Sequence, residues 1–151
     1  MKQLYALILI LFCLLFISCD KHMNYDEAEQ IEIVSMLTGT EWRQTYEHMS
    51  GYEPTEYDED GWIYKFNSNR SGSYKWFDRE NCSIIGDVVY FRWDFTTKNF
   101  AVIYIDKSQQ FWLIDKLTPT ELWVYSAFQD PVLYPNTPQT FRKFTAVKYN
   151  D

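Results

Sequence analysis

The chain has 151 residues and a formal net charge of −7. That charge repels phosphate backbones, so nucleic acid is set aside as a partner, and the length suits one domain behind a short leader. Only two histidines are present, His22 in the stretch behind the leader and His48 alone inside the domain, so a metal site of two or three His ligands is not expected and a serine nucleophile is poorly supplied with a base.

The first element is a leader. Lys2 precedes an apolar run from Leu4 to Ile17. A helix of that length rises only about 21 Å, short of the ~30 Å hydrocarbon core of a bilayer. One basic residue, a short apolar core and the small residue Ser18 before a boundary make a secretory signal. The run ends in "FISC", with Cys19 followed by Asp20. This stretch resembles the lipobox of bacterial lipoproteins, although Phe16 stands where Leu is usual. The resemblance implies cleavage before Cys19 and acyl chains, palmitate among them, on its sulfur and amine. Multiple chains give stable anchoring where one does not. Residues 1–18 are thus read as signal peptide, 19–25 as tether and 26–151 as the folded domain. Cys13 leaves with the leader and Cys19 is modified. Cys82 is then a lone thiol with no partner for an intrachain disulfide, and is expected to be inert.

"DEAEQIEIVSMLTG", residues 26–39, predicts a short helix. Asp26 can cap it, Ile31, Val34 and Leu37 recur on one face, and Gly39 stops it. Period-two alternation then takes over. Strands are predicted over 41–48, 61–67, 73–77, 88–95, 100–105, 110–115, the stretch holding Leu122 and Val124, and 140–149. In "VVYFRWDF" Val89, Phe91, Trp93 and Phe95 share one face, and Val88, Tyr90, Arg92 and Asp94 share the other. "SNRSG" reads as a turn with Gly72 free to take positive φ. Aromatics make up 19% of the chain, and such residues favour pleated surfaces. Eight strands joined by short turns form an antiparallel meander, which closes without edges as an up-and-down barrel. The expected class is all-β, an eight-stranded antiparallel barrel with a short N-terminal helix.

"LTGTEWRQ", "YKFNSNRSGSYKW" and "LIDKLTPTELWVY" occur in that order. Together they resemble the opening, the second hairpin and the late hairpin of the lipocalin-like lipoproteins of Bacteroidetes-type bacteria, over roughly residues 35–149. Two residues separate Gly39 from Trp42, where the lipocalin motif has one residue between them. The resemblance implies a lipocalin-like barrel on the outer membrane of the cell envelope. It also implies structural roles for Gly39, Trp42 and Arg142, with Arg142 of the last strand stacking over Trp42 of the first.

Candidate chemistry is sparse. Glu56, Asp58 and Asp60 alternate as in a calcium loop, but Asn67 stands where the closing Glu is needed and no helix flanks the segment. It reads as an acidic mouth loop. No metal ligand set and no cofactor are expected. The functional expectation is non-enzymatic: the barrel mouth takes a small apolar or amphipathic ligand, with Tyr64, Tyr74, Trp76 and Trp93 as candidate lining. Large aromatics can equally fill a small barrel. The alternative is an interaction module in which outer aromatics such as Tyr90, Tyr104, Trp123 and Tyr125 contact glycan or protein. A hydrolase would need two carboxyls about 5–9 Å apart in one cleft, and no spacing selects such a pair.

Overall fold

The computed structural model describes residues 24–148, with side chains from Ala28 onward. The signal peptide and Cys19 lie outside those residues. Helix α1 spans Asn24–Thr38, so Asp26 falls in its first turn rather than ahead of it. Strand β1 spans Glu41–Met49, and a two-residue strand β2 spans Thr55–Glu56. Then come β3 (Gly61–Phe66), β4 (Ser71–Asp78), β5 (Ser83–Phe95) and β6 (Val102–Ile105). The chain finishes with β7 (Gln110–Leu117), β8 (Glu121–Ala127) and β9 (Thr140–Ala146).

Each of β4 to β9 pairs antiparallel with the strand before it, and β3 pairs with the start of β1. β9 then returns to β1, from Trp42↔Ala146 to Met49↔Thr140, and closes the wall. The result is an eight-stranded antiparallel up-and-down barrel, with β2 as an extra strand on the upper part of β1. Closure gives every barrel strand a neighbour on both sides, although β6 covers β5 only over Trp93–Phe95.

The turns at 67–70, 96–101 and 118–120 share one end of the barrel with α1; the loops at 50–60, 79–82, 106–109 and 128–139 share the other. We call these ends the base and the mouth. Along β5 the predicted faces are found: Phe91 and Trp93 are buried, while Tyr90, Arg92 and Asp94 are exposed. β5 also begins five residues earlier than its alternation suggests. Three residues, 86–88, bulge out between the pairs Trp76↔Ile85 and Tyr74↔Val89, and Gly86 supplies a φ of 76°.

Inside, β3 and β4 set aromatic side chains directly opposite one another, Trp62↔Trp76 and Tyr64↔Tyr74, with Gly72 opposite Phe66. Gly72 does not take positive φ; Arg70, two residues earlier, does, at 65°. Glycine is needed at 72 for space, because an added Cβ would lie 2.3 Å from the Phe91 ring. Gly39 is likewise steric: a Cβ there would sit 2.8 Å from the Ser35 carbonyl oxygen. That close approach lies within the last turn of α1, where the chain leaves the helix for β1. Leu37 is fully buried, and the Trp42 indole Nε1 donates to its carbonyl at 2.9 Å. The C-terminal end of α1 therefore plugs the base.

Candidate functional site

The lumen is packed with side chains through its lower half. Trp42, Phe66, Trp112 and Phe144 are fully buried there. Tyr64 meets the rings of Tyr74, Trp112 and Phe144 at centroid distances of 5.3, 5.0 and 5.6 Å. This burial pushes the Tyr64 phenol up to about 12, against a smaller opposing pull from Arg142. Three of the four ligand candidates, Tyr64, Tyr74 and Trp76, stand on inward-facing positions of β3 and β4. Their rings touch one another or Trp62 rather than a void. Trp93, the fourth, is buried at the base and donates its Nε1 to the Ser71 carbonyl at 2.9 Å.

Above this aromatic packing lies a polar ring. Arg142 donates through Nε to Glu47 Oε2 at 2.9 Å and through Nη1 to Gln110 Oε1 at 3.2 Å. Gln44, itself buried, donates to the same Glu47 oxygen at 2.9 Å. The arrangement corrects the expected role of Arg142. It does not stack on Trp42. Trp42 pairs with Ala146, four residues along β9 from Arg142, which pairs with Glu47. Arg142 and Trp42 thus share the lumen but stand at opposite ends of it. Tyr57, in the mouth loop, has its phenol raised by partial burial and by the Glu47 carboxylate, with Arg142 pulling the other way.

The acidic mouth loop is tied to the β4–β5 turn. Asp60 accepts the Arg79 backbone amide at 2.6 Å, and Glu59 pairs with the Arg79 guanidinium at 2.7 Å. Among the described residues no three His, Cys, Asp or Glu side chains converge to hold a metal ion. Cys82 is exposed, in the β4–β5 turn.

A cavity is found elsewhere, under the base. Helix α1 crosses the turns at 67–70 and 96–101, latched by the Gln30 amide donating to the Lys98 carbonyl at 2.6 Å. Between helix and turns runs an open groove of about 400 Å³. Ile31, Val34 and Phe100 supply its apolar side; Gln30, Ser35, Ser68 and Arg70 supply polar groups. Ile31 is 64% exposed although it belongs to the apolar face that buries Leu37. That face is thus covered at its C-terminal end and open at its N-terminal end.

Arg70 is the chemically distinctive group of the groove. Its guanidinium lies 4.6 Å from the Trp93 ring centroid, 5.2 Å from Phe95 and 5.7 Å from Phe100. Its ion-pair contact among the described residues, from Nε to the exposed Asp94 carboxylate, is 3.7 Å long. Its Nη1 is buried with no hydrogen-bond partner among the described residues. Arg70 and Phe100 were not singled out from the sequence. A basic residue in a polar turn looks like any solvated surface charge until the rings beneath it are known.

No family model matches the chain, and no curated protein matches it. The lipocalin-like resemblance thus rests on the three short motifs and their order.

Proposed function

We propose that the chain is an exported, non-enzymatic binding protein of the lipocalin-like kind, acylated at Cys19 and held on the outer membrane. It takes a small apolar or amphipathic molecule in the groove beneath α1. One observation carries this reading: an open volume of about 400 Å³ with apolar groups on one side and polar groups on the other. Its size falls within the roughly 300–1,000 Å³ typical of small-molecule sites. The mouth, where the sequence alone would put the ligand, is the weaker candidate because rings and a bonded polar ring occupy it.

The test is native mass spectrometry of the acylated protein purified from its own host. The expected spectrum shows a small molecule bound, and that adduct is lost in an Ile31→Asp variant. Adduct-free protein in every gentle preparation removes the reading. Labelled palmitate should enter the wild-type chain and not a Cys19→Ala variant; label in both excludes the anchor.

A second reading has its own support on the outer wall. Tyr46, Trp123 and Tyr125 pack around Phe141 at centroid distances of 6.0, 6.2 and 4.9 Å, and Lys143 reaches over Tyr46 and Trp123 at 4.9 and 4.8 Å. These half-buried rings form one continuous aromatic strip of the kind that stacks on a sugar or a protein partner. Tyr90 stands apart on β5 and Tyr104 packs with Phe111, so the four residues expected to act together do not form one patch. Retention on glycan supports that is lost with Trp123→Ala would favour this reading over the groove.

A further inference from the structure

The groove holds a charged group with unmet bonding capacity. A guanidinium carries five N–H donors. For Arg70 the recorded acceptor is one long contact to a carboxylate that is itself 75% exposed. Three aromatic rings hold the group in place from below, so it is positioned before any ligand arrives. A buried donor left without an acceptor costs about 1–3 kcal/mol, more for a charged group. The Arg70 side chain is nonetheless 31% exposed, so an anionic head in the groove meets the open edge of the guanidinium.

The backbone adds a second, independent sign. Arg70 and Phe100 are two of the four non-glycine residues at positive φ among those described, at 65° and 54°, and both line the groove. Non-glycine residues in that region are uncommon and cost on the order of 1–3 kcal/mol. In the Asn67–Gly72 turn, Asn69 or Gly72 would adopt the conformation at lower cost. Instead the strained position is given to Arg70, which swings its side chain over Trp93, and its counterpart in the next base turn swings Phe100 beside it.

We infer that the groove selects an anionic amphiphile, a molecule with a carboxylate or phosphate head that Arg70 receives and a single apolar tail that lies along Ile31, Val34 and Phe100. This inference rests on the groove being the ligand site. Ser68 and Gln30 stand at the same groove as further donors to a head with several oxygens. A planar guanidinium suits a two-oxygen head better than an ammonium would. The groove's volume of about 400 Å³ is that of a site for one small ligand, with a single apolar side for its tail to lie along.

Photoaffinity labelling tests the proposal on the full acylated chain in nanodiscs of neutral phosphatidylcholine. Three probes are compared, a diazirine-bearing fatty acid, the matching alkyl phosphate and the matching fatty alcohol, and the tailed acid is also put in competition with acetate or inorganic phosphate at equal concentration. At least one anionic probe should label peptides containing Ile31–Val34 or Phe100 about tenfold or more above the alcohol, as loss of a charge-assisted hydrogen bond predicts. Which anionic probe labels decides between carboxylate and phosphate. Tailless anions should not compete at equal concentration. Arg70→Gln should bring the anionic probe down to the level of the alcohol, and Arg70→Lys should restore part of the difference. Ile31→Asp, at an exposed site that folding does not need, should abolish all groove labelling. Equal labelling by acid and alcohol overturns the anionic selection and leaves the apolar groove standing. Absence of groove labelling by every probe overturns both. Should Arg70→Gln fail to fold, the acid-to-alcohol ratio on the native chain and the Ile31→Asp result still decide.

Discussion

Gly72 has no side chain because the Phe91 ring occupies the place where one would be, 2.3 Å from an added Cβ. The neighbouring atoms are ring and backbone, which cannot retreat. Gly72→Ala should therefore cost about 1–3 kcal/mol or more, read as a lower urea midpoint at unchanged m-value. A second expectation concerns Tyr64. Burial raises its phenol to about 12 in the folded barrel, above the ordinary tyrosine value near ~10. The native state thus holds this proton more tightly than the unfolded chain does. The contribution is complete below the unfolded value and is lost as pH climbs from about 10 to 12, on the order of 2–3 kcal/mol in total. Urea titrations across that window should show wild type losing more stability than Tyr64→Phe; equal losses would remove Tyr64 as the cause. The sequence could assign Tyr64 and Arg142 to the lumen, since strand alternation fixes the face. It could not fix their height in the barrel, and height decides partners. Arg142 meets Glu47 and Gln110 because the β9–β1 register sets it beside Glu47, well above Trp42.

Helix α1 is amphipathic only in part, and its two halves do different work. Leu37 is sealed against the base, and its carbonyl takes the Trp42 indole proton at 2.9 Å. Ile31 remains open to the groove. Leu37→Ala should cost about 2–5 kcal/mol, the range for a large aliphatic side chain lost from a core. The same change should speed amide exchange along α1 before it speeds exchange in the strands, because the helix opens locally once its plug is gone. Uniform acceleration over helix and barrel would show instead that α1 and the barrel open as one unit. At this scale the sequence was highly legible. All eight barrel strands stand where alternation put them, most within two residues at each end, because a half-buried strand must alternate and a two-sided register slip would expose the core. β5 is the main exception. Its bulge at residues 86–88 breaks the alternation without breaking the pairing, so a pattern of period two stops reading there. The groove was illegible for a different reason: its walls come from α1 and two turns that are distant in the chain, and no periodicity links them.

The whole barrel depends on a seam between its first and last strands. The hairpins β3–β4, β6–β7 and β7–β8 form across short turns, whereas β1 and β9 pair between residues roughly 100 positions apart, a separation whose loop-closure entropy must be met before any contact rewards it. Local hairpins can thus assemble early, and the seam is expected to close late. Refolding should take milliseconds to seconds, as for other domains dominated by non-local strand pairing. Two fully buried phenylalanines separate the stages. Phe66 ends β3 beside the local turn into β4, and Phe144 lies in β9 on the seam opposite Gln44. Both should lose stability on replacement by Leu. Phe66→Leu should slow folding in proportion to that loss, while Phe144→Leu should act mainly by speeding unfolding, with a φ-value below about 0.3. Stopped-flow tryptophan fluorescence over a range of urea concentrations measures both limbs. A Phe144→Leu variant that slows folding as strongly as it shifts the equilibrium would mean that the ends of the chain meet first and the hairpins form inside an already closed ring.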